Sequence, residues 1–309
     1  VETGYSDGSD WYFQMVFCAT TVSIVSGTMA ERIKLWPFFL FAAILTGFLY
    51  PFVMGWQWGG GWLAVRGFSD FAGSTLVHST GGAAALAGVI LLGSRTGRFT
   101  KSGAPVPIKP FAASSIPLVT IGVFILWLGW FGFNGGSQLA IYGFENANSV
   151  AKIFVNTNTA AAAGLLSAMI LSKLWLGRTA LNAVCNGALA GLVVITADPV
   201  TPSPYVAIIY GSLGGLLVPL SMSYLEKWGI DDPVGAISVH GTAGILGLML
   251  VPILNHDASF VTQAIGTATI FTFCFGSSYL VWYGFKKTIG IRVGTVSYTH
   301  LTLPTNREV

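Results

Sequence analysis

Nine apolar stretches follow one another along this chain, at about residues 12–30, 35–54, 75–93, 112–133, 151–171, 180–196, 204–225, 237–254 and 261–284. A bilayer core requires about 20 apolar residues per helix, and backbone polar groups there must be satisfied within the segment itself. The pattern therefore predicts an all-α polytopic membrane protein. Composition agrees: 53% of the 309 residues are hydrophobic and 9% charged, against roughly 25% charged in an ordinary soluble domain. A net charge of +3 with scattered basic residues gives no footprint for nucleic acid. Cys18, Cys185 and Cys274 lie in apolar runs without metal-ligand spacing, so they read as packing residues, with no metal or cofactor implied.

Basic residues set the expected orientation through the positive-inside rule. Twelve of the fifteen Lys and Arg residues fall after odd-numbered stretches: Arg32, Lys34, Arg95, Arg98, Lys101, Lys109, Lys173, Arg178, Lys227, Lys286, Lys287 and Arg292. The N-terminal segment is thus expected outside and the C-terminus in the cytoplasm. None of the nine stretches contains an acidic residue, and Asp70 lies five residues before the third.

His78 and His240 are the two imidazoles expected inside the membrane, where ionisable groups are costly and default to functional candidates. Their surroundings match: Val77-His78-Ser79-Thr80-Gly81-Gly82 and Val239-His240-Gly241-Thr242-Ala243-Gly244 share Val, His, Thr and the last Gly. The two segments lie in the third and eighth stretches, an odd number of crossings apart, and so run in opposite directions. This is the pattern of an inverted-topology repeat, which places a site near the midplane. Two rings brought together by the pseudo-twofold are expected to be neutral and to share an N–H···N bond. Such a pair suits a small neutral polar molecule or a proton hop rather than a cation.

Aromatic residues gather at the expected outer ends of the first, second and fourth stretches: Trp11, Tyr12, Phe13 and Phe17; Trp56, Trp58 and Trp62; Trp130, Phe131 and Phe133. An interfacial belt accounts for some of them. Trp58 and Phe133, however, sit in glycine-rich Trp58-Gly59-Gly60-Gly61 and Gly132-Phe133-Asn134-Gly135-Gly136-Ser137, where ring faces and a hydroxyl can attract a small cation. Cation–π attraction is worth about 0.5–2 kcal/mol, whereas stripping an ion of water costs several. A cation that can shed its proton resolves that imbalance, and ammonium does so where potassium cannot.

The chain resembles the Amt/MEP/Rh family of ammonium transporters over about residues 11–293. The resemblance rests on Phe13-Gln14-x-x-Phe17, Gly27-Thr28-Met29-Ala30-Glu31-Arg32-Ile33, Trp58-Gly59-Gly60-Gly61, Asp70-Phe71-Ala72-Gly73 through His78, Gly129-Trp130 through Ser137, Asp231-Asp232-Pro233, Val239-His240-Gly241 and Gly290-Ile291-Arg292-Val293. It implies an inverted-repeat fold of eleven spans, of which nine are visible, in a multi-pass inner (plasma) membrane protein that is usually a homotrimer. By the same resemblance Trp58, Phe17, Ser137 and Trp130 form an outer recruitment site, Phe17 and Phe133 a gate, and His78 and His240 the pore pair. Asp70 is then the carboxylate supporting the recruited cation. The Trp58 and Ser137 motifs look closer to the Amt branch than to the Rh branch.

The implied activity is transport rather than enzymatic chemistry: NH4+ is recruited, deprotonated and passed as NH3, with or without a separately relayed proton. Methylammonium would be an analogue and a PII-type protein a cytoplasmic regulator. Alternatives are an Rh-like channel for neutral NH3 or CO2, an ammonium sensor, and, remotely, a bis-histidine haem protein. Residues 1–293 are expected to form the membrane domain without the family's first two spans, and residues 294–309 a tail unrelated to the family.

Overall fold

The computed structural model describes residues 5–99 and 113–294. Among these the chain is helical, in the order α1 Asp7–Met29, α2 Leu35–Ile44, α3 Tyr50–Gln57, α4 Trp62–Val65, α5 Thr80–Leu92, α6 Ile116–Gly136, α7 Phe144–Leu176, α8 Leu181–Thr196, α9 Pro204–Lys227, α10 Ala243–Leu250 and α11 Phe260–Thr288. A π-helical turn at Leu45–Leu49 joins α2 to α3, and two more, Ser74–Ser79 and Ile237–Thr242, lead into α5 and α10. Among the described residues, seven helical segments are long and apolar enough to cross a membrane. The shorter apolar Leu181–Thr196 and Ile237–Ile253 complete nine, one for each stretch predicted from the sequence. The protein is an all-helical, multi-pass membrane protein.

Serine caps start four of these helices: Ser6, Ser115, Ser203 and Ser259 accept from the amides of Ser9, Leu118, Val206 and Thr262. Each satisfies a backbone donor that would otherwise be orphaned at the start of a helix. Several helices outrun their apolar stretches. At 33 residues, α7 is about 50 Å long against a hydrocarbon core of about 30 Å. The excess holds Glu145 and Lys173, as the first turns of α1 hold Asp7 and Asp10 and the last turn of α9 holds Glu226. Acidic residues are therefore in helices but confined to their ends.

Small residues let the central helices touch backbone to backbone. A Cβ at Gly191 or Gly211 would collide with the Ala160 carbonyl, and one at Gly215 with the Gly164 carbonyl, so α7, α8 and α9 close on one another through these positions. The two π-turn helices cross in the same manner, with a Cβ at Gly82 falling 2.6 Å from the Gly241 backbone and one at Gly247 falling 2.8 Å from Ser74 Oγ. Contacts that pair 82 with 241 and 74 with 247 run antiparallel, as the inverted repeat requires. By contrast, α6 turns Leu118, Ile121, Phe124, Ile125 and Leu128 outward, an apolar face suited to lipid.

At the end of the bundle away from Trp58, the segment Gly290–Val293 returns to the α1–α2 connection. Lys34 N–H donates to the Ile291 carbonyl at 2.8 Å and Val293 N–H to the Arg32 carbonyl at 3.0 Å. The C-terminal carbonyls of α5 accept three cationic side chains: Lys286 on Leu91, Arg292 on Leu92 and Arg32 on Gly93. Cations at a helix C-terminus complement its dipole. Lys101 and Lys109, and the tail beyond Gly294, lie outside the described residues.

Candidate functional site: an aromatic mouth over a histidine pair

The sequence repeat is longer than the match around the histidines. Asp70-x-x-Gly73-x-x-x-Val77-His78 and Asp232-x-x-Gly235-x-x-x-Val239-His240 share spacing and identity at four positions, and the structure gives each a function. Gly73 and Gly235 take the left-handed backbone, φ 95° and 79°, which glycine adopts without strain. That turn folds each aspartate back over the start of its π-turn. Asp70 accepts the amides of Gly73 and Ser74 on one oxygen, at 3.1 and 2.8 Å, and those of Thr75 and Leu76 on the other, at 2.8 and 2.9 Å. Asp232 accepts Gly235 N–H at 3.1 Å and Ile237 N–H at 2.7 Å. Burial pushes both carboxyls up to about 6, while the amides pull them down, so each is a carboxylate at pH 7.

These turns present His78 and His240 to each other. Their Nδ1 atoms are 3.2 Å apart, with ring centroids 5.1 Å apart at an interplanar angle of 26°. One ring must donate and the other accept, so the rings hold opposite tautomers. The outer nitrogens then differ: one Nε2 carries a proton and the other a lone pair. His78 is 1% exposed, and its Nε2 is buried without a protein partner. An iron between the facing nitrogens would need about 2 Å on each side, more than the 3.2 Å present, so the rings as placed do not fit bis-axial haem ligation.

Aromatic rings cover the pair. His78 stacks on Trp130, 5.0 Å and 22°, and on Phe133, 5.3 Å and 27°. Phe133 meets Phe17 at 4.3 Å in a tilted rather than parallel arrangement, 47°, and Phe17 leads on to Trp58 at 5.6 Å and Phe13 at 4.7 Å. Phe17 is 2% exposed and touches both Trp58 and Phe133, the ring that stacks on His78. Ser137, the C-cap of α6, is partly buried and donates to the Phe133 carbonyl at 2.8 Å. The Asp70 main-chain carbonyl accepts the Trp58 indole N–H at 3.0 Å. Asp70 is itself fully buried: its carboxylate binds the π-turn amides and its carbonyl holds the mouth ring.

All eight residues singled out from the sequence thus fall along one line, from Trp58 through Phe17, Phe133, Trp130 and His78 to His240, with Ser137 and Asp70 beside it. Asp232, present in the sequence motif Asp231-Asp232-Pro233, joins the site as well, and its signal is the eight-residue spacing from His240 that Asp70 keeps from His78. Tyr50 was overlooked: it is buried in one apolar cluster with Phe17 and Val77, and its hydroxyl has no protein partner. Nothing in its apolar sequence context marks it.

A second cluster lies at the opposite end of the bundle. Arg95 binds Asp231 through two guanidinium nitrogens, each 3.0 Å from a different carboxylate oxygen, and reaches Glu31 at 3.3 Å. Arg98 pairs with Glu226. Burial alone would raise the Asp231 carboxyl, but hydrogen bonds and charge from Arg95 hold it below its ordinary value.

Fold and site together define a helical membrane protein with an aromatic-capped histidine pair between inverted repeats. The chain matches the Ammonium Transporter Family over residues 2–299, and it belongs to that family. It is 38% identical to Ammonium transporter Amt2 of Archaeoglobus fulgidus, covering 92% of this chain and 65% of the relative. It is 42% identical to a putative ammonium transporter of Synechocystis, covering 91% and 63%. Among solved structures it superposes on a Sensor Amt Protein with a TM-score of 0.89 at 35% identity, covering 94% of this chain and 75% of that one. The corresponding values for Candida albicans Mep2 are 0.81, 25%, 95% and 71%. The chain thus spans a little under two thirds of the length of these curated relatives.

Proposed function

We propose that this chain forms the conducting pore of an ammonium transporter. The observation that carries the reading is the Nδ1–Nδ1 contact of His78 and His240 at 3.2 Å, directly beneath a closed Phe17–Phe133 contact. Trp58, Phe17, Trp130 and Ser137 would recruit NH4+, helped by cation–π attraction of about 0.5–2 kcal/mol. A bare ammonium would lose several kcal/mol on desolvation below the gate. Deprotonation near the phenylalanine pair removes that cost, and NH3 then passes the histidines as a hydrogen-bonding partner of their outer nitrogens. The two tautomers also offer a route for the released proton: accepted at one Nε2, handed across the Nδ1 contact and given up at the other.

The excess of basic residues at the end distant from Trp58 supports a mouth facing outward and a cytoplasmic C-terminus. Assembly as a homotrimer and control by a PII-type partner belong to the same proposal, and cross-linking in membranes and co-purification under nitrogen limitation test them. In proteoliposomes, ammonium should evoke a current that falls when His78 and His240 are both replaced by leucine. An undiminished current would remove the relay, and uptake without current would favour a neutral gas channel. Similarity to a Sensor Amt Protein supports a second reading, an ammonium sensor, which predicts saturable ammonium binding with negligible flux.

A further inference from the structure

Trp130 is held by a buried polar chain. Its indole N–H donates to Thr196 Oγ1 at 2.8 Å, and the Thr196 hydroxyl lies 2.7 Å from the Leu192 carbonyl and 3.1 Å from Asn134 Oδ1. Asn134 Nδ2 in turn donates to Thr157 Oγ1 at 3.0 Å. Asn134, Thr157 and Thr196 are fully buried. Asn134 directly follows Phe133, so one chain of hydrogen bonds ties both rings that stack on His78 to α7 and α8. Thr196 has a second attachment: its carbonyl accepts the Ala72 amide at 3.1 Å, beside the Ala197 carbonyl that accepts Phe71 at 2.9 Å. Those amides belong to the loop between Asp70 and Gly73. The end of α8 thus fixes, through one residue, the ring against His78 and the loop that starts the His78 π-turn.

We infer that Thr196 is a positioning residue for the histidine pair, acting through Trp130. The inference rests on the transport reading above and deepens it. Stacking alone lets a ring slide and tilt, because dispersion contacts are individually small and weakly directional. A hydrogen bond from the indole N–H removes that freedom. Without the hydroxyl, the buried N–H has no acceptor and the indole must turn to find one. The His78 plane loses its backing, and the Nδ1 contact with His240 loses its alignment. Trp58, Phe17 and Phe133 keep their mutual contacts, and Trp130 is the one recruitment residue that shifts, so the effect should fall more on turnover than on capture.

The test uses ammonium-evoked initial currents in proteoliposomes, scaled to folded protein. Thr196→Val, of nearly the same shape, should lower the maximal current about tenfold, the scale set by one unsatisfied buried donor, with half-saturating ammonium within about twofold of the parent. Thr196→Ser should restore the current to within about threefold. On a Trp130→Phe background, which has no indole N–H, Thr196→Val should lower the current further by less than about twofold. A maximal current close to the parent's, or an equal fall on both backgrounds, overturns the inference. Should the valine variant not accumulate, Thr196→Ala is judged by the same criteria. A parent that passes no ammonium overturns the transport reading itself, whereas an active parent indifferent to Thr196 overturns only this inference.

Discussion

Replacing Asp70 by Asn probes the device that shapes the His78 turn, and its cost can be worked from the hydrogen bonds. Two amides, Gly73 and Ser74, share Oδ1, and two, Thr75 and Leu76, share Oδ2, all at 2.8–3.1 Å. Asparagine keeps one acceptor oxygen and sets an NH2 against the other pair of amides. Two buried donors are then unsatisfied, at about 1–3 kcal/mol each, or about 2–6 kcal/mol in all. The same change at Asp232, which accepts the amides of Gly235 and Ile237 with those of Val234 and Ala236 also turned to it, should cost about 1–6 kcal/mol. Unfolding of the detergent-solubilised protein by SDS titration at pH 7.5, above the value of about 6 for both carboxyls, measures both. Each variant should lose at least about 1 kcal/mol. A variant of either aspartate within about 0.5 kcal/mol of the parent would refute the view that the carboxylates work as caps of the histidine-bearing turns.

Three further outcomes follow from the same geometry. Gly82→Ala places a methyl 2.6 Å from the Gly241 backbone, which cannot swing aside, so it should destabilise by about 1–3 kcal/mol; unchanged thermal stability and current would contradict the close crossing. Trp58→Leu should weaken apparent affinity for ammonium more than it lowers folded yield, and unchanged uptake at limiting ammonium would remove Trp58 from the mouth. Asp231, held below its ordinary carboxyl value, contributes stability that is present at neutral pH and is lost as pH falls through its folded value. Asp231→Asn should therefore be less stable than the parent at pH 7, with the gap closing below about pH 4; a gap independent of pH would show that the Arg95 pair is not its source.

Much of the fold was legible because the bilayer is a strict solvent. An apolar run of about 20 residues has few fates other than a spanning helix, and the nine predicted stretches correspond to nine helical segments. The polar ends of α7 were missed because hydropathy marks where hydrocarbon begins, not where a helix stops. In the site, the histidines stood out because titratable groups are rare inside spans, and Trp58 and Phe133 because they sit in glycine-rich motifs. Asp232 could have been found from the repeated Asp-x-x-Gly spacing. Thr196 could not, since a threonine near the end of an apolar helix usually bonds its own backbone, and this one does so as well.

The sequence by itself determined the class of molecule, the number of spans, the opposite sense of the two histidine segments and the family, because each follows from local composition or order along the chain. Only the tertiary structure decided that His78 and His240 meet through Nδ1, that Phe17 and Phe133 close tilted above them, and that Thr196 holds Trp130. Those facts depend on the angle and depth at which helices cross, which are set by small residues such as Gly82 and Gly241 and by carboxylates folded back over their own turns. A one-dimensional pattern shows that two helices can approach closely. It does not show which nitrogen of a ring will meet its partner and which will be left outward.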